Sequence, residues 1–187
     1  QLAARRKTLK LNIQVEKLLM AYPIPRLDHE DLPALDVLQT VLSGGRSSRL
    51  QKALVEPGIA TEAYGYASSA KDPSLFFIGA SLQKGSRANA AERIIQRELD
   101  RLAREKVPAS ELERARNILN FEFFGALETN SERARFVGQY ESQAGGAENG
   151  RSYFEKLQKV TPEQIQAVVR KYFPENHRNT VVGIKKS

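Results

Sequence analysis

Strand-like alternation occurs in this chain as two separated pairs and one late segment, never in regular exchange with single helices. Residues 7–15, Lys-Thr-Leu-Lys-Leu-Asn-Ile-Gln-Val, alternate polar and apolar with the period of a half-buried strand. Leu18 to Tyr22 is a second short apolar run, and Pro23-Ile24-Pro25 ends it because proline is not expected in a central strand. These two segments read as neighbouring strands. Ile59 to Ser68 and Leu75 to Leu82 form the second pair, joined by a turn at Lys71-Asp72-Pro73-Ser74. Thr180 to Ile184 closes the chain as a last strand. Such an order excludes a doubly wound α/β sheet. It predicts an α+β fold, a two-layer sandwich with helices packed on one face of a mainly antiparallel sheet.

The helical signals fill the gaps. Asp31 can cap a helix with Pro33 in its first turn, and Leu35, Leu38 and Leu42 share a face with Ala34 and Val41 until Gly44-Gly45 stops it. Ser47 or Ser48 caps a shorter helix over 49–55. Ala91, Ile94, Ile95, Leu99 and Leu102 mark an amphipathic helix from Ala88 to Glu105. Another runs from Ser110 through Phe121, Phe123 and Phe124 to about Leu127, and Ser131 caps its successor to about Ala144. Residues 145–150 read as a loop, 152–159 as a helix, and Thr161-Pro162-Glu163-Gln164 as the start of a helix reaching Tyr172. The 187 residues read as one domain.

The chemistry available is narrow. There is no cysteine, so disulfides, thiolate metal sites and a cysteine nucleophile are excluded. The two histidines, His29 and His177, stand in polar connections far apart in sequence. Neither belongs to a pair at i, i+4 with a partnering glutamate, so the chain has no zincin or inverzincin ligand set. No serine occupies a G-x-S-x-G elbow. Gly44-Gly45-Arg46-Ser47-Ser48-Arg49 resembles a phosphate cradle in composition but lacks the lysine and the preceding strand. It reads as a tight helix–helix corner, its serines capping and its arginines pairing locally. Arg93, Arg97, Arg101 and Arg104 make a basic stripe that reads as a solvated face, with Asp100–Arg104 and Arg101–Glu105 at pairing distance. The net charge of +7 comes partly from the termini and leaves nucleic-acid binding as a minor alternative. No apolar run is long enough to span a bilayer.

Several pieces, taken in order, resemble the C-terminal, non-catalytic domain of pitrilysin/insulinase-type zinc peptidases. They are Leu18 to Pro25, Val41 to Leu50, Gly58-Ile59-Ala60-Thr61, Lys71 to Phe76, Glu111 to Ala115, and Val160 to Gln166 with its helix up to Tyr172. The resemblance implies that zinc and the catalytic glutamate lie in a domain upstream of residue 1. It also implies a clamshell wall around an unfolded peptide. The chain begins at Gln1 without methionine, which reads as an excised piece. Some family members place an arginine and a tyrosine on the inert half to hold the substrate carbonyl. The matching positions here are Val55 (or Leu54) and Thr61, so that pair is absent. Thr61, Tyr64 and Tyr66 remain candidates for peptide contact.

The expected partners are an N-terminal domain of the same polypeptide, a homologous second chain and an unfolded peptide. Neither nucleic acid nor a membrane span is expected. The expected role is the non-catalytic C-terminal domain of a zinc-dependent endopeptidase that binds extended chains at a sheet edge. The rival is a degenerate scaffold subunit of the same fold, without peptidase activity. The resemblance also leans toward a bacterial cell-envelope location.

Overall fold

In the computed structural model, which describes residues 3–68 and 70–186, the strands are β1 (Arg5–Leu11), β2 (Lys17–Ile24), β3 (Ala60–Ala67), β4 (Ser74–Leu82) and β5 (Asn179–Lys185). They make a sheet in the order β1-β5-β2-β4-β3, antiparallel except for the β1–β5 pair. Alternation sorts the side chains. Leu18, Met20, Tyr22 and Ile24 of β2, and Phe76, Ile78, Ala80 and Leu82 of β4, are buried on one face. Ala63, Gly65 and Ala67 of β3 and Thr180 and Val182 of β5 complete that face.

The expected pairing of β1 with β2 is corrected: β5 lies between them. The reason is compositional. The Thr180-Val181-Val182 run of β5 is β-branched and well covered, as a central strand should be, whereas β1 is exposed and cationic, which suits an edge. Proline placement is corrected too. β2 continues through Pro23, which pairs with Leu75 of β4, but β5 reaches only as far as Ala21. Pro23 therefore sits where β2 has a single neighbour, and its missing N–H costs no ladder bond.

The helices are α1 (Leu32–Ser43), α2 (Ala88–Arg104), α3 (Ala109–Gly125), α4 (Asn130–Ala144), α5 (Glu148–Lys159) and α6 (Pro162–Tyr172). α1, α2 and α6 lie on the sheet, α3 and α5 pack on α1, and α4 packs on α5. This is the two-layer α+β arrangement. Leu32, Leu35, Leu38, Leu42, Ile95 and Leu102 are fully buried in its core. Each such side chain contributes about 1.5–3 kcal/mol by leaving water. Phe173, just beyond α6, packs its ring against Tyr22 and Phe76 at 4.8 and 5.0 Å.

Local signals fared unevenly. Thr161 and Gln164 form a full capping box at α6. Asp31 does not cap α1; its carboxylate instead takes hydrogen bonds from Lys171 and Tyr172. Thr129, not Ser131, caps α4, accepting from the Glu132 N–H. α5 begins four residues before the expected start, taking in Asn149-Gly150; the Phe136 ring stands where a Cβ of residue 150 would be, so this glycine allows close packing rather than marking a loop. The segment after the Gly44-Gly45 corner is a π-helical turn over Gln51–Val55, the Glu56 N–H reaching back to the Gln51 carbonyl.

Candidate functional surface

The side of the sheet away from the helices carries two of the three peptide-contact candidates. Tyr64 and Tyr66 project from β3, and the Tyr64 ring lies over Gly79 of β4, filling the space a side chain there would need. The register continues this row through Leu19 of β2 to Val181 of β5. Thr61 is exposed at the start of β3, and its hydroxyl donates to the Ser81 carbonyl at 3.1 Å. The three candidates thus share a strand, yet nothing makes them converge on one point.

The two edges of the sheet differ. On the outer edge of β3, Gln51 donates to the Ala63 carbonyl, Ser43 donates to the Gly65 carbonyl, and the Ala67 N–H donates to Gln39 Oε1 at 2.7 Å. Side chains from α1 and the π-turn therefore occupy the positions an added strand would use. On β1, the Arg5 N–H and the Leu11 carbonyl bond toward β5, so the backbone groups of Arg6, Thr8 and Lys10 face outward.

The Gly44–Arg49 corner is a brace. A Cβ at Gly44 would stand 2.6 Å from the Thr40 carbonyl oxygen, and Gly45 adopts φ +76°, so both positions need glycine. Ser48 is buried and its hydroxyl has no hydrogen-bond partner among the described residues, so it does not cap. Arg46 is exposed. Arg49 does not pair locally as expected: Nε donates to Glu111 at 2.9 Å, and Nη1 lies 3.7 Å from Glu98, tying the corner to α3 and α2. In the basic stripe of α2, Arg101–Glu105 forms at 3.0 Å, while Asp100 accepts instead from Gln96.

The titratable groups were only partly legible in the sequence. His29 Nδ1 accepts from the Asp31 N–H at 3.0 Å, and His177 lies in a short turn before β5. Burial works to raise Asp31, but hydrogen bonds from Lys171 and Tyr172 outweigh it and hold the carboxyl below its ordinary range. Asp36 was missed. Burial pushes it to about 6, against the pull of the Tyr153 hydroxyl donating at 2.5 Å, and the charge of Glu122 adds to the rise. Its signal was present: Asp36 breaks the apolar run Leu35-Val37-Leu38. Tyr140, pushed up to about 12 by burial and by Asp36, lines with Tyr153, His29, Asn149 and Lys156 a cavity of about 290 Å³ beside this group. Among the described residues no three His, Cys, Asp or Glu side chains come together to hold a metal ion. These residues do not fit zinc, which needs about three well-placed protein ligands.

A protein-family model described as the peptidase M16 inactive domain matches residues 3–119. The zinc protease PqqE of Helicobacter pylori is 25% identical over 173 residues, covering 92% of this chain and 39% of that protein. The uncharacterized zinc protease YmxG of Bacillus subtilis is 26% identical over 180 residues, 94% of this chain and 43% of that one. This chain thus spans about two fifths of these relatives. A crystal structure of a Helicobacter pylori protease superposes with TM-score 0.93 at 25% identity, over 98% of this chain and 45% of that one. An inactive peptidase domain from Bordetella parapertussis gives TM-score 0.84 at 20% identity, covering 96% of this chain and 95% of that one. With the fold in place and the family model matching more than half of its length, this chain belongs to the peptidase M16 inactive-domain family.

Proposed function

We propose that this chain is the non-catalytic wall of a peptide-enclosing zinc endopeptidase whose metal and general base reside in a separate segment. The observation that carries the reading is the match to an inactive peptidase domain, in a chain among whose described residues no carboxylates and histidines gather into a ligand set. Such a wall excludes folded proteins by size and holds an extended peptide by backbone hydrogen bonds. With the β3 edge occupied by Gln39, Ser43 and Gln51, the outward groups of Arg6, Thr8 and Lys10 on β1 supply those bonds. A location in the bacterial cell envelope goes with this reading.

The test adds unfolded peptides and zinc to this chain alone, and then to the natural polypeptide that contains it. Hydrolysis is expected only from the latter. Robust zinc-dependent cleavage by the isolated chain would overturn the proposal.

The second reading is a scaffold subunit. A chain of Candida albicans complex III2 has this fold, at TM-score 0.82 and 13% identity. Val55 (or Leu54) and Thr61 stand where some family members carry the clamping pair, which fits this reading and fits equally a wall whose clamp lies on a partner chain. Zinc-dependent hydrolysis by the natural polypeptide would exclude it.

A further inference from the structure

The cavity beside Asp36 has a chemistry that neither the packing of the fold nor the peptidase reading uses. It opens where the 27–29 connection and Pro33, at the start of α1, face α4 and α5. Part of its wall is apolar: Leu27, Pro33, Ala144 and the rings of Tyr140 and Tyr153, whose centroids are 6.1 Å apart. Its volume of about 290 Å³ stands at the lower end of the range for small-molecule sites.

The polar groups on that wall are one-sided. The Lys156 ammonium meets no carboxylate among the described residues, and the hydroxyls of Tyr140 and Ser152 have no hydrogen-bond partner there. His29 accepts the Asp31 N–H at Nδ1, so its neutral ring keeps the proton on Nε2, as a donor. The acids nearby are engaged already. Asp28 pairs with Arg26 at 2.6 Å, and Asp36 receives the Tyr153 hydroxyl. Burial, reinforced by the charge of Asp36, keeps both tyrosine hydroxyls protonated. Four donors from three segments thus surround one space, with no unpaired carboxylate among them. Buried polar groups of this kind are ordinarily satisfied by a partner.

We propose that this cavity binds a small monocarboxylic acid with an apolar body. The carboxylate takes the Lys156 ammonium and the Tyr140 hydroxyl, and the body lies against Leu27, Pro33 and the tyrosine rings. One ammonium among neutral donors balances a single negative charge, which suits a carboxylate better than a phosphate group carrying nearly two. A free small acid and the carboxyl end of a peptide offer the same chemistry. The inference stands apart from the chamber wall, which uses the β1 edge, and its test involves no hydrolysis.

The test is a chemical-shift titration of the isotope-labelled chain with N-acetylphenylalanine. A Kd of about 1 mM or tighter is expected, with shifts centred on residues 27–33 and 140–156. The uncharged N-acetylphenylalaninamide should bind at least about tenfold more weakly. Lys156→Met keeps the apolar stem, loses the charge and should weaken the acid about tenfold; Tyr140→Phe should weaken it about threefold. Lys159→Met, at an exposed lysine outside the cavity, should bind like the parent. Lys156 is exposed as well, so circular dichroism should not change on its substitution. The peptide Ala-Ala-Phe separates the sources: binding equal to that of the acid assigns the site to peptide ends, and weaker binding assigns it to free small acids. An acid that causes no shifts up to about 10 mM, an amide that binds as tightly, or a Lys156→Met chain that binds like the parent would each overturn the proposal.

Discussion

α1 and α4 are helices of similar length with opposite situations. Nine of the twelve residues of α1 are buried, and none of the fifteen in α4 is. α1 is apolar nearly all round because it is wrapped by the sheet, α3, α5 and α6. α4 leans on α5 and turns Val137 to solvent. Stability therefore concentrates in the sheet–α1 half, while the α3–α5 layer carries apolar side chains that none of the described residues covers. Elements that bury little are also the first to open locally.

The sharpest way to break this comparison is Leu38→Ala, which empties a fully buried position in α1 and should cost about 4 kcal/mol in denaturant unfolding. A cost near that of a surface change would remove α1 from the centre of the fold.

Asp36→Asn probes the polar exception on α1. Asp36 binds its proton more tightly folded than unfolded, so its stabilising contribution is complete below its ordinary value of 3.8 and is lost as pH rises through about 6. The asparagine variant does not titrate there. It should gain on the parent by up to about 3 kcal/mol between pH 4 and 7. Parallel stability curves across that range would show that the carboxyl does not titrate where its surroundings place it.

α6 stands between the extremes, and Thr161→Ala there removes one cap bond and should cost about 1 kcal/mol by thermal unfolding. The smallest effect belongs to Val137→Ala in α4, within about 0.5 kcal/mol. A larger loss would mean that α4 is packed more tightly than its exposure implies.

Much of the fold was legible because its local signals agree with the tertiary result. Alternation located β3 and β4, the 3.6 period located α2, and Thr161 to Gln164 announced α6. The failures share a cause. Asp31, Ser48 and Arg49 were assigned to neighbours in sequence, but their surroundings come from distant residues such as Glu98, Glu111, Lys171 and Tyr172 or from burial itself. The site was less legible still. Thr61, Tyr64 and Tyr66 were found on one strand, while Asp36 needed the remote ring of Tyr153 to acquire its perturbed carboxyl.

By itself the sequence determined which segments are strands and helices, and which face of most of them is apolar, since both follow from short-range periodicity. Two separated histidines and no cysteine likewise left the sequence without an inverted zinc motif. Only the tertiary structure decided that β5 parts β1 from β2 and that side chains occupy one sheet edge. Strand order and exposure depend on which distant segments meet, and a local pattern holds no record of its partners.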